Sequence, residues 1–289
     1  MLAAIDSTYL LGIGAGLLAA FLLGTGDFFV GTVAEKSSVF ASTAIAYIFE
    51  FFLMGTILLF VGDYGTVTEN TKTLGVAVAG NLGFLIFITG LAKGKVSVVA
   101  PIAGVLQLFL PLILSVFIDH DTLSLITWVG IAISLIAIIF VSLSKDDEKD
   151  KKSIPISILT GVASGLFFSL YLTGVGKVET PMVARLFIFS IPACIVGAIY
   201  LSIKRNTVRA VLKHKHIIIC SSSGYMIGLW MFDESVSRVS LLISTLLAGL
   251  VPVATIVWAR LLKNENISKL QYFGFFLAVL GIVAIALGA

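Results

Sequence analysis

Two acidic residues stand where acidic residues are costly. Asp27, in LLGTGDFFVG, and Glu50, in AYIFEFFLMG, interrupt runs that are otherwise apolar or small. A charged side chain at the centre of a bilayer costs about 2.5–3.5 kcal/mol on insertion scales, so such residues face protein or a water-filled cavity. A carboxyl group placed there can bind a cationic or hydroxylated solute, or carry a proton. Glu50 has aromatic neighbours and no basic residue in its own segment. It reads as a proton-coupling acid or as a neutral carboxylic acid hydrogen-bonded to an adjacent helix. Asp27 continues a stripe of small residues, Gly12, Gly16, Ala20 and Gly24. Residues three and four apart share a helix face, and small residues let a second backbone approach closely. Asp27 therefore points toward protein or cavity, as a solute or proton site, or as a structural group that snorkels to the interface or pairs with Lys36 or Lys95. Arg185, in PMVARLFIF, is the basic residue inside an apolar run, and it reads as a gate or ion-pair residue with Glu179 or Asp233 as partner.

The neutral polar candidates are less distinctive. Asn81 and Gln107 could hydrogen-bond a substrate or join helices. Ser164, Ser169 and Tyr171 could line a cavity, and Tyr225 and Trp230 could supply an aromatic wall. Helix packing and lipid contact are the competing readings. Asp233 and Glu234 read as a solvated rim.

Other chemistries lack their residues. GLAKGKVS, residues 90–97, has three residues between its glycines and valine after Lys95, so it is not the phosphate-binding loop of an ATP-driven pump. The three histidines, His120, His214 and His216, lie in or beside connections, and no His-Glu-x-x-His zinc motif or Gly-x-Ser-Gly motif is present. No apolar run carries a central lysine for a retinal Schiff base. Cys194 and Cys220 lie in apolar segments and read as packing, not as a disulfide framework or metal site. No cofactor is expected, and the protein does not read as an enzyme.

These residues need elements that can hold them in lipid. Hydrophobic residues make up 58% of the chain and charged residues 12%, against about 25% charged in soluble domains. The net charge of +3 is too small and scattered to suggest nucleic acid. The start, MLAAIDSTYL, lacks a basic leader region, so the first apolar run reads as a span, not as a cleaved signal. A spanning helix needs about 20 apolar residues. Ten segments meet this, at 9–31, 39–61, 73–92, 96–118, 123–143, 154–176, 182–203, 216–233, 239–261 and 268–288. The longest polar connection, SKDDEKDKKS at 144–153, falls at the midpoint, and divides the chain into halves 1–143 and 154–289.

The halves repeat one another. Ser157, Gly161, Gly165 and Ser169 copy the four-residue spacing of Gly12, Gly16, Ala20 and Gly24. Spans 4 and 9 carry Pro111 and Pro252, and spans 5 and 10 open with TLSLITWVG and NISKLQYFG, with Ala137 and Gly281 following at equal spacing. Five spans per half is odd, so a duplicated half enters from the opposite side. That predicts an all-α integral membrane protein of ten transmembrane helices in two inverted five-helix repeats, a plan of secondary transporters whose sites lie near the midplane. Of the 19 Lys and Arg, fifteen follow odd-numbered spans, three follow even-numbered spans, and Arg185 lies inside span 7. The positive-inside rule places the odd connections in the cytoplasm of a cell-membrane protein.

The stretch VPVATIVWARLLKNENISKLQYFGFFLAVLGIVAIALG resembles the end of an EamA repeat, of the drug/metabolite transporter superfamily. Pro252, the turn NENIS with Glu265, Gln271, Gly274 and Gly281 carry the resemblance. Pro111, DHDTLS, Gly130 and Ala137 form a weaker copy, and KGKVSVVAPIAGVLQLFLP looks like the family's passage from span 3 into span 4. The resemblance implies a secondary transporter for small organic solutes, with spans 1, 3, 4, 6, 8 and 9 around a cavity and spans 5 and 10 outside. The cargo expected is an amino acid, amine or similar metabolite, moved by alternating access, with protons as candidate coupling partners and a monomer or homodimer as the unit. A sugar or nucleoside uniporter or symporter of the same fold, a channel and a non-transporting sensor or scaffold are the alternatives.

Overall fold

The computed structural model describes residues 7–108, 110, 113, 124–142, 154–239, 241–263 and 268–288. Among these, all regular elements are helices: α1 Ser7–Lys36, α2 Val39–Val61, α3 Val67–Lys93, α4 Val96–Leu106, α5 Leu125–Ser142, α6 Ile154–Val175, α7 Met182–Ile203, α8 Arg205–Leu212, α9 Lys215–Arg238, α10 Leu241–Ala248, α11 Val251–Lys263 and α12 Lys269–Gly288. In lipid every backbone polar group must be satisfied within the chain, which selects helices for sequences this apolar. Five of the described helices are long and apolar enough to span a bilayer: α1, α2, α3, α6 and α7. The remaining expected spans hold α4, α5, α9, the α10–α11 pair and α12. The charged linker 144–153 and Pro111 lie outside the described residues.

Three departures from the sequence reading have local causes. Expected span 9 is not one helix but two, α10 and α11, with a break at Gly249 and Leu250. Pro252 lacks an N–H and its ring crowds the carbonyl four residues back, Ala248, where α10 stops. Tighter bonds carry the chain through, Leu250 N–H donating to Leu247 O at 2.9 Å and Val253 N–H to Leu250 O at 2.9 Å. In the first half α4 likewise ends at Leu106, short of Pro111, with Leu108 N–H donating to Val105 O at 3.2 Å. Helix α3 starts six residues before the expected span because Thr66 caps it, accepting from Glu69 N–H. The third departure is α8, a short helix in what reads as a plain polar connection.

Packing is reciprocal between the halves. Helix α1 lies along α9, and α6 lies along α3. Helix α6 packs on α4, and α1 packs on α11. Helix α2 pairs with α7, α5 with α12, and α4 meets α11. The small-residue stripes make these approaches. A Cβ on Gly12 would strike Arg238 and Val239, one on Gly16 would strike Leu247, and one on Gly24 the carbonyl of Val251. In α6 a Cβ on Gly161 would press on Ile102, and one on Gly165 on Leu106. Outside, Leu59, Phe60, Ile199 and Ile203 are exposed, as lipid-facing side chains must be.

Candidate functional site

Where the two halves meet, α1, α3, α4, α6, α7, α9, α10 and α11 enclose a cavity of about 60 Å³. Asp27, Gln107, Tyr171 and Tyr225 share its wall with Phe87, Phe168, Phe189 and Pro252. None of the described residues of α5 and α12 lines it. Organic ligand sites run to about 300–1,000 Å³, so this cavity, with a few waters' worth of space, is smaller than a metabolite needs.

Asp27 is placed by its own glycines. Gly24 lets α11 approach, and the Thr255 hydroxyl donates to Gly24 O at 3.2 Å. Gly26 lets α9 approach, and the Ser221 hydroxyl donates to Gly26 O at 2.7 Å. Trp258 Nε1–H donates to Thr25 Oγ1 at 2.9 Å. The turn that carries Asp27 is thus held from both sides. Its side chain is buried, forms no ion pair with a described residue, and its Oδ1 has no hydrogen-bond partner among the described residues. The expected pairing with Lys36 or Lys95 is therefore not made. A buried acceptor left unpaired costs about 1–3 kcal/mol. Gln107 Nε2, also buried, likewise has no partner among the described residues. The cavity wall thus presents a free acceptor and a free donor.

Glu50 is buried but does not line this cavity. It sits in the α2–α9 interface with its carboxyl within reach of the Ser222 hydroxyl, and the neighbouring Tyr47 hydroxyl has no hydrogen-bond partner among the described residues. Tyr47 and Tyr225 each lie within electrostatic reach of both Glu50 and Asp27. A chain of rings connects the same region: Tyr225 to Phe84 at 5.2 Å, Phe84 to Tyr47 at 5.6 Å, Tyr47 to Phe189 at 5.9 Å and Phe189 to Tyr171 at 5.2 Å. Tyr47 and Ser222 were not singled out from the sequence. The available signal was spacing: each lies three residues before a singled-out residue, Glu50 and Tyr225, on the same helix face.

The structure places the other candidates apart from the cavity. Asn81 donates from Nδ2 to Phe189 O at 2.8 Å, joining α3 to α7, and faces a separate groove of about 260 Å³ between α2, α3 and α7. Ser164 turns back on its own helix and donates to Thr160 O at 2.6 Å. Trp230 stands on the exposed side of α9. Arg185 forms an ion pair with Asp233, joining α7 to α9, so Asp233 is more than a solvated rim. At the opposite end Lys263 pairs with Glu35 at 2.6 Å and stands over the Phe28 ring at 5.4 Å, joining α11 to α1.

The model of the EamA-like transporter family matches residues 10–143 and again residues 149–287. An uncharacterized protein of Methanocaldococcus jannaschii is 31% identical over 131 residues, which cover 94% of that protein and 45% of this chain. A crystal structure of another protein superposes with a TM-score of 0.61, covering 98% of both chains at 14% identity, and so shares the fold.

Proposed function

The chain belongs to the EamA-like transporter family and is a multi-pass membrane transporter; on that footing we propose that it moves a small organic solute by alternating access between two inverted five-helix repeats. The family model's double match, the reciprocal helix pairing and a relative that matches less than half of the chain support the duplication. The solute site is the cavity between the halves. The observation that carries this reading is the Asp27 carboxylate, buried on the cavity wall with an oxygen that has no partner among the described residues. It fits a solute with an ammonium or hydroxyl group, held against the aromatic wall, and Gln107 supplies a donor to the same space. One copy of the chain encloses the cavity, so a monomer suffices for binding.

In the proposed cycle the closed cavity opens alternately at its two ends. The Lys263–Glu35 pair and the Trp258–Thr25 bond close one end, and the Arg185–Asp233 pair closes the other. The breaks before Pro252 and at the end of α4 supply the bends. Glu50 and Asp27 are the groups through which proton coupling would act, since both are buried acids joined through the Tyr47–Tyr225 region. The positive-inside count supports cytoplasmic connections after the odd-numbered spans.

The test is a thermal-unfolding screen of the detergent-purified protein with amino acids, amines, quaternary ammonium compounds, sugars and nucleosides at pH 5.5 and pH 8. A ligand that binds the folded state raises the midpoint by mass action. One chemical class is expected to raise it, and Asp27→Asn to abolish the rise. Uptake into proteoliposomes then separates the roles: Glu50→Gln is expected to remove the pH dependence of uphill uptake. If both amides leave uptake and its pH dependence intact, coupling through these acids fails. If Asp27→Asn binds the ligand unchanged, the assigned site fails.

A further inference from the structure

The connection between α7 and α9 carries a helix of its own. Residues 204–215 contain Lys204, Arg205, Arg209, Lys213 and Lys215 and no acidic residue. Helix α8 occupies most of this stretch. The side chains of Lys204, Arg209, Lys213 and Lys215 are exposed, and none of the four forms an ion pair with a described residue.

The helix is anchored on its opposite side. Val211 is fully buried in an apolar cluster that also holds Val33 of α1, Ala41 and Ala46 of α2, and Ile218 of α9. Ile203, Leu212 and Ile217 are exposed at the end of α7, on α8 and at the start of α9. Uncovered cations and uncovered apolar side chains therefore occur together where two membrane helices end. A solvated loop has no use for exposed isoleucine and leucine, and a site for nucleic acid would not pair its cations with them. A helix with one apolar side and a basic face lies in the plane of the membrane interface, and a basic cluster beside a span attracts anionic lipid.

We propose that α8 and its flanking lysines form a binding site for anionic phospholipid. Lys204, Arg209, Lys213 and Lys215 hold the headgroup phosphate, and the acyl chains lie against Ile203, Leu212 and Ile217. The site is independent of the transported solute and of Asp27.

Native mass spectrometry of the detergent-purified protein with added phosphatidylglycerol or phosphatidylcholine tests it. Each basic residue near an anionic surface contributes about fivefold (about 1 kcal/mol), so the wild type is expected to retain phosphatidylglycerol at least fivefold over phosphatidylcholine. The variant K204Q/R209Q/K213Q/K215Q is expected to lose that preference. The variant K149Q/K151Q/K152Q, which strips charge from the linker, is expected to keep it. Equal loss in both variants would show an effect of bulk charge and overturn the site. Displacement of phosphatidylglycerol by millimolar inorganic phosphate would make it a free-anion site and overturn the lipid assignment. Photoactivatable phosphatidylglycerol on the wild type gives a reading that does not depend on how a variant folds. Adducts within 203–217 are expected, and adducts confined to other segments would overturn the proposal.

Discussion

At the residue scale the molecule places acidic groups at two different depths of the same polar region. Asp27 reaches the cavity and Glu50 stands behind it, in the α2–α9 interface. Asp27 was legible from sequence because a charge ending a small-residue stripe must face the neighbour that the stripe admits. Glu50 was legible as buried, but its segment has no stripe to say which helix it meets. Trp230 and Ser164 show the limit of residue type alone. An aromatic ring in lipid is equally at home on either face, and a serine hydroxyl in a helix can satisfy itself on the preceding turn. The glycines give a direct test at this scale. A Cβ on Gly24 would overlap the Val251 carbonyl, whereas one on Gly14 meets nothing. Gly24→Ala is expected to destabilise by about 1–3 kcal/mol through overpacking, read as a lowered thermal midpoint. Gly14→Ala, on the same helix, is expected to leave the midpoint unchanged or raised, since alanine favours a helix interior by about 1 kcal/mol over glycine. Equal effects would mean that Gly24 does not set the α1–α11 approach.

At the element scale the helices that bend are the ones that face the cavity. Both α4 and α10 stop just short of a proline, and the breaks were foreshadowed by Pro111 and Pro252, though a proline in an apolar run does not say whether the helix kinks or parts. Helix α8 escaped notice because its eight residues are too few to show a period. Two ion pairs belong to this scale, since each ties two elements. Arg185 and Asp233 are about one-fifth exposed or less, while in the other pair Lys263 is equally covered but its partner Glu35 is open at 48%. Losing one partner of a partly buried pair leaves a charge without its counterion. Arg185→Gln and Asp233→Asn are each expected to cost about 1–3 kcal/mol. The double variant should cost less than their sum, by at least 0.5 kcal/mol, as residues in direct contact do. Additive losses in chemical unfolding would show that the pair does not tie α7 to α9. Lys263→Gln should change stability by less than about 1 kcal/mol, as exposed pairs do.

At the scale of the whole molecule, the all-helical architecture was readable from apolar content and the spacing of glycines, and the family from the likeness of the Pro252–Gly281 stretch. The cavity was not, because its closed volume depends on how far rings such as Phe87, Phe168 and Phe189 swing inward, which no spacing rule reports. Orientation is a property of this scale and is open to a direct check. In a background with Cys194 and Cys220 replaced by serine, Lys177→Cys and Lys213→Cys place single thiols in an even and an odd connection. A membrane-impermeant maleimide added to intact cells is expected to label Lys177→Cys at once, and Lys213→Cys only after permeabilisation. The reverse pattern would invert the assigned topology.

The reciprocal pairing of helices has a consequence for how the chain is made. Gly12 lies against Arg238, which leaves the ribosome 226 residues later. At about 5–20 residues per second, that is a wait of roughly 10–45 seconds. Throughout that interval the glycine face of α1, with Asp27 at its end, has no α9 or α11 to cover it. The nascent first half must shelter an acid inside the membrane with only its own helices, α2 to α4 among them, before the second half exists to cover it.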